Sequence, residues 1–328
     1  MKSLFIRALL VLGISWFGSN ALAEMEVKGW NAAVGLIVGG VSGEGQLDAY
    51  GGKKRIESLD EKPARYNYDF LFPEVQLGYT FENNITIYAD GGLLDGGGIG
   101  VRYLFADETR LTLSLPLFLG TSGEVWQDPY LTGRDRKKTD ARLDAAVGLS
   151  IDNLWGTFAS ISYDYQDLSI KNDQAGESLN ARLNASEIKQ LQRDSQTHRV
   201  LASLPPLTLS DGLYLIGGAS YTRTHAEGDA NSFIARSADL TLAYEKGRFE
   251  IFAQISGAVA KYRTLNPVFD TRRKDDLSTI SAGITYWQPF DWKHSSLDLL
   301  LVSERNNSNI NFYDTSTELL TASFNYYF

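Results

Sequence analysis

The sequence has no cysteine, only three histidines and eight prolines among 328 residues. After Phe17 it has no apolar run approaching the roughly 20 residues that a membrane-crossing helix needs. Each scarcity excludes something. Without cysteine there are no disulfides and no thiolate metal site. With three histidines, a catalytic triad could draw only on His198, His225 or His294. Positive charge is also short, since 31 Lys and Arg stand against 40 Asp and Glu for a formal charge of -9, which argues against a nucleic-acid partner. Nothing in the pattern calls for a cofactor.

The N-terminus has its own logic. Residues 1–23 run from a basic start (Lys2, Arg7) through an apolar stretch, Ala8 to Phe17, to the small-residue site Ala21-Leu22-Ala23. That is the layout of a secretory signal peptide, and the apolar stretch is too short for a membrane anchor. The expected mature chain is 24–328. No linker or low-complexity tract divides it, so it reads as one domain.

What is abundant is alternation. In "RLTLSLPLFLG", Leu111, Leu113, Leu115, Leu117 and Leu119 share one face, and in "GTFASISYDYQDL" Ala159, Ile161, Tyr163 and Tyr165 do the same. A period of two means strands. Tight turn signals such as Glu82-Asn83-Asn84, Ser210-Asp211-Gly212 and Glu245-Lys246-Gly247 take turns along the chain with long polar connections. The spacing predicts about fourteen strands, with 109–120 as the fifth and 197–209 as the eighth, the latter interrupted by Pro205-Pro206. Twelve is the alternative if Asp90 to Gly100 is not a hairpin.

Two stacked sheets would alternate as well. The predicted strands, however, run to ten or more residues, and aromatic residues gather at their ends. One band holds Trp30, Tyr79, Phe81, Tyr103, Phe105, Trp155, Tyr244, Tyr286, Trp287 and Trp292. A second holds Tyr68, Phe70, Tyr163, Tyr165, Tyr221, Phe233 and Tyr262. Two such bands are what the two interfaces of a bilayer select. The reading is therefore all-β: a transmembrane antiparallel up-and-down β-barrel with short turns at one rim and long loops at the other.

The signal layout, the acidic cysteine-free chain, the alternation and a last strand carrying Leu320, Ala322, Phe324, Tyr326 and Phe328 on one face resemble a Gram-negative outer-membrane β-barrel of the porin-like superfamily. The resemblance implies a place in the cell outer membrane among its lipid and lipopolysaccharide. It also implies that the terminal aromatic strand is the signal read by the barrel-assembly machinery.

Fourteen strands spaced about 4.8 Å and tilted near 40° close on a backbone radius of roughly 14 Å, wide enough for a small-molecule solute. The residues expected to line this pore are Glu74, Asp90, Arg102, Arg110, Arg142, Asp144, Asp164, Arg199, Arg223, Asp239, Glu250, Asp298 and Glu304. Acids outnumber arginines, so the expected function is passive diffusion of small hydrophilic solutes with a weak cation preference, by a monomer. Two other readings stand beside it. An outer-membrane hydrolase of lipase or protease type would use His198 near Asp194 and Ser195, or His225 near Asp229 and Ser232. A surface adhesin or receptor would use the long loops and could have a plugged lumen.

Three local stretches complete the reading. "DGGLLDGGGIG" lacks the helix and Lys-Ser/Thr of a phosphate loop and reads as a hairpin. "SLNARLNASEIKQLQ", Ser178 to Gln192, is rich in helix formers and predicts a short helix in a loop. "TGRDRKKTD", Thr132 to Asp140, is a basic cluster suited to lipopolysaccharide phosphates.

Overall fold

The computed structural model describes residues 28–91, 97–116 and 120–328; the expected signal peptide lies outside them. The chain forms β1 (Gly29–Gly45), β2 (Arg65–Thr80), β3 (Ile85–Asp90), β4 (Gly98–Leu104), β5 (Arg110–Pro116), β6 (Gly120–Trp126), β7 (Lys138–Asp152) and β8 (Ser160–Ile170). It continues with β9 (Ser195–Ser203), β10 (Leu207–Ser210), β11 (Leu213–Ala226), β12 (Phe233–Lys246), β13 (Phe249–Asn266), β14 (Thr271–Trp287), β15 (Ser295–Ser308) and β16 (Thr315–Tyr327). Each pairs antiparallel with its neighbours, and β1 closes the circle on β16, from Ala33 opposite Tyr327 to Gly45 opposite Thr315.

Sixteen segments make fourteen wall strands. β9 and β10 are one strand broken at Pro205 and Pro206, which have no N–H to give to the ladder, and both halves pair with β11. β5 and β6 likewise share β7 as partner. The β3–β4 hairpin is real, with Ile85 opposite Tyr103 and Asp90 opposite Gly98, so the count is fourteen and not twelve.

The wall spans a bilayer because its outer face is apolar over the right height. On β13 the exposed outward residues run from Phe249 through Ile251 and Ile255 to Val259. Ten steps of about 3.4 Å at a tilt near 40° give roughly 26 Å, the height of the apolar band of such barrels. Below it lies an aromatic girdle: Trp30 edge-on to Tyr79, Tyr103 edge-on to Phe105, Phe249 stacked on Tyr286, and Trp292 edge-on to Phe324. The turns at this rim are tight. At Gly212, φ is 71° and a Cβ would sit 2.1 Å from the Glu245 carbonyl oxygen, so only glycine fits.

Five residues expected in the aromatic bands point inward instead. Trp287 donates its indole N–H to Glu250 on the inner wall, and Phe233 and Tyr262 also face inward, Tyr262 beside the inner-face Asp275. Tyr68 and Phe70 share the inner face of β2 with Glu74, opposite the exposed Leu71 and Val75. In "YNYDFLF" Tyr66, Tyr68, Phe70 and Phe72 share a face opposite Asn67, Asp69 and Leu71, so hydropathy alone would turn the rings to lipid, and it is register that turns them inward. The rings settle over bare backbone: a Cβ on Gly39 would meet Phe70 Cζ at 2.6 Å and the Leu320 carbonyl at 2.7 Å. Phe70, Phe72, Ile37, Val41 and Leu319 thereby form an apolar strip along one side of the lumen.

Candidate functional site: a pore wall and its lid

The long loops do not spread into solvent. Ile56, Tyr130, Ala175, Leu183, Leu191, Ala230, Val268, Ile310, Phe312 and Tyr313 form one buried apolar cluster, with Leu47, Leu59, Leu179, Ile188 and Phe269 packed against it. These residues come from six loops around the rim. Tyr130, between β6 and β7, and Tyr313, between β15 and β16, are about half the barrel apart in strand order, yet their hydroxyls are 2.7 Å apart. The loops therefore meet above the lumen and form a lid.

Hydrogen bonds between loops hold the lid together. Asn266 donates to the Tyr313 hydroxyl at 2.6 Å, and Asn306 donates to the Tyr313 carbonyl. Asp128 accepts backbone N–H groups from Tyr130, Gly176 and Ser178, tying two loops together. Arg193 pairs with Asp173 and also donates to the Trp126 and Gln127 carbonyls. Burial pushes the Tyr130 and Tyr313 hydroxyls above the ordinary tyrosine range and raises the Asp194 carboxyl. Glu61 is held low by its hydrogen bond from Lys53.

The helix predicted in "SLNARLNASEIKQLQ" is there as α1 (Ala185–Lys189), closed by a capping box in which Asn184 and Glu187 serve each other's backbone N–H. Part of the basic cluster "TGRDRKKTD" is built into the lid. Arg136 is 1% exposed, lies over the Trp126 ring at 4.4 Å and spends its donors on the Gln46, Pro129 and Lys53 carbonyls. Burial pulls its guanidinium down to about 10. Lys138 pairs with Glu124, while Arg134 and Lys137 are exposed.

Under the lid, a cavity of about 180 Å³ opens among Leu168, Thr197, Thr224, Ala226 and Phe233. Its walls combine apolar surface with hydroxyls, and Thr197 and Thr224 hydrogen-bond to each other at 2.9 Å.

Register and burial place Glu74, Asp90, Arg102, Arg110, Asp164, Arg199, Asp239, Glu250, Asp298 and Glu304 on the inner face. Several are engaged. Asp164 stands directly opposite Arg199, Arg102 lies over the Tyr88 ring, and Asp90 accepts the Gly98 N–H to close its hairpin. Asp298 accepts from Thr285, Ser296 and Asn325.

Arg142, Asp144 and Arg223 do not join them. A bulge between Leu143 and Ala145 reverses the parity of upper β7, so Ala141 and Leu143 face in while Arg142 points out and pairs with Asp144 at 3.6 Å. Arg223 is exposed between Thr222 and Thr224, each only 8% exposed. In "YTRTHA" both faces are polar, and the sequence pattern is silent about which one is inside. Of the thirteen expected residues, seven acids and three arginines then line the inner face.

The histidines fall elsewhere than a triad needs. His198 sits on the outer wall between Tyr163 and Tyr165, its Nδ1 2.8 Å from the Tyr163 hydroxyl, while the Asp194 carboxylate accepts the Ile170 N–H. His225 lies on the same outer face, exposed, and His294 is in a short-rim turn with φ of 60°.

The lid cluster was not anticipated from the sequence. Its signal was Ile56, Leu183, Leu191, Phe312 and Tyr313 inside loops otherwise polar enough to be read as solvated.

Residues 29–327 match the family described as Protein of unknown function (DUF2860). The chain belongs to this family. The DUF2860 match opens on the first residue of β1 and closes on the last of β16, so the family unit is the barrel with its lid. No curated protein matches the sequence. Among solved structures, this DUF2860 chain is similar to the CymD monoaromatic hydrocarbon channel, at 12% identity and a TM-score of 0.47 over 94% of this chain and 91% of that one. It is similar to outer-membrane expressed OmpT of Vibrio cholerae, at 8% identity and 0.44 over 92% and 99%. It is also similar to an anion-selective porin from Comamonas acidovorans, at 11% identity and 0.40 over 91% and 99%. Scores below 0.5 carry no solute from those proteins to this one.

Proposed function

We propose that this protein is an outer-membrane channel for small hydrophilic solutes, with a preference for cations, and that its outer mouth is closed at rest by the loop lid. The observation that carries the reading is the excess of acids over arginines on the inner wall of a closed fourteen-strand barrel. A wall of one net sign in a narrow aqueous path raises the local concentration of the opposite charge. The lid adds a gate, because six loops share one apolar cluster and must part together for a solute to enter. Delivery to the membrane rests on the exported N-terminus and on the C-terminal face of Leu320, Ala322, Phe324, Tyr326 and Phe328, taken as the mark read by the assembly machinery.

The test is conductance of the mature protein in planar bilayers under a potassium chloride gradient. The native chain should give rare openings whose reversal potential has the sign of the cation. Replacing residues 172–193 by a short glycine-serine turn should make openings frequent and steady. Changing Glu74, Asp239 and Glu250 together to Gln should move the reversal potential toward zero. A barrel that folds, shifts on gels with heat and never conducts after loop removal would sink the channel reading and favour a plugged receptor. Steady conductance with anion selectivity would sink the cation preference alone.

A further inference from the structure

The outer face of β11 to β14 carries a group of basic residues that neither the pore nor the lid uses. Register aligns Arg223, Ile234, Lys261 and Lys274 side by side, and the next outward row below holds Tyr221, Arg236, Val259 and Asp276. Arg223, Arg236, Lys261 and Lys274 thus occupy four adjacent strands, within about 15 Å at 4.8 Å per strand. All four are exposed in a chain whose formal charge is -9. Lys274 has Asp276 at 2.9 Å, whereas Arg223, Arg236 and Lys261 make no ion pair among the described residues. Lys261 stands directly opposite Lys274. Two like charges across a ladder destabilise the pair unless an anion lies between them.

Shape points the same way. The outward row beneath the bases is Ala219, Ala238, Gly257 and Ser278, small on every strand, and a Cβ built on Gly257 would meet nothing within 4 Å. The row below that is Leu240, Ile255 and Ile280, exposed at 44%, 58% and 62%. From top to bottom the surface reads cationic, then shallow, then apolar. It lies at the upper edge of the membrane-facing belt, where a bound molecule has its head in water and its tails in lipid.

We propose that this face seats a phosphorylated glycolipid of the outer leaflet. Arg236, Lys261 and Lys274 hold the phosphate, the sugar rests over the row from Ala219 to Ser278, and the acyl chains lie along Leu240, Ile255 and Ile280. Charge-assisted contacts to phosphate supply the affinity, and the shallow row excludes a head group that would stand clear of the wall. A free phosphate would use the cations and leave the apolar row uncovered.

The experiment uses the mature chain in a neutral detergent, with diphosphoryl lipid A as probe and phosphatidylglycerol, phosphatidylethanolamine and inorganic phosphate as comparators, read by native mass spectrometry. Lipid A should bind at one tight site. R236Q/K261Q/K274Q should weaken it by roughly tenfold or more, as the loss of three charge-assisted contacts implies. G257W, which fills the shallow row and leaves every charge in place, should weaken it as well. K261Q alone should leave the lipid-free barrel at least as resistant to heat, since it removes a like-charge pair. Unchanged lipid A binding in the triple variant, equal binding of phosphatidylglycerol, or displacement by millimolar inorganic phosphate would each overturn the proposal.

Discussion

Gly39 and Phe70 show how single residues set this wall. A methyl on Gly39 would press on the Phe70 ring and on the Leu320 carbonyl, and the carbonyl belongs to the seam that closes the barrel. Gly39→Ala should lower stability by about 1–3 kcal/mol, the usual cost of overpacking, seen as a lower guanidinium midpoint for heat-shifted barrel. Gly247, whose Cβ would meet nothing within 4 Å, is the control for a turn position, where only its φ of 63° resists alanine. At the far end, Phe328 is 71% exposed on the outer face, edge-on to Tyr326, and its N–H donates to the Ala32 carbonyl. Phe328→Ser keeps that backbone bond and removes only the exposed ring. If the ring is the assembly mark, the variant should reach the periplasm normally and enter the outer membrane at a small fraction of native yield, whereas a ring that only packs would leave yield unchanged.

Among elements, the lid is the one whose behaviour is least ordinary. Tyr313 accepts from Asn266 and shares a hydrogen bond with Tyr130, all three buried. Tyr313→Phe leaves a buried amide and a buried hydroxyl without that partner, at about 1–3 kcal/mol, and should raise open probability without altering the barrel's heat shift. pH acts on the same pair. Burial holds both phenols above their ordinary pKa, so their contribution is fully present below about pH 10 and is lost as pH rises beyond it. Openings should therefore become more frequent between roughly pH 10 and 11, and less steeply so in Y130F/Y313F. No pH dependence of opening in that window would mean that the tyrosine pair does not hold the lid.

For the whole molecule, period-two alternation and turn chemistry were enough to give an antiparallel barrel of fourteen strands, because a strand that faces lipid on one side and polar lumen on the other must write that difference into every second residue. The turn at Gly212 and the broken ladder at Pro205 and Pro206 were legible for the same local reason: a φ or a missing N–H is a property of one residue. Most of the inner wall followed by counting. Counting failed at Arg142 and Asp144, where one extra residue in β7 turns the upper strand over, and at Tyr68, Phe70, Phe233, Tyr262 and Trp287, where both faces offer a ring a place to pack. It had no means of finding the lid, since the meeting of Tyr130 and Tyr313 joins residues 183 apart in sequence whose loops converge only after the circle closes. The basic face of β11 to β14 has the same origin, for Arg223, Lys261 and Lys274 become neighbours through register alone. Local periodicity determined the barrel; closure and register, which act between distant strands, decided what stands above its mouth and on its flank.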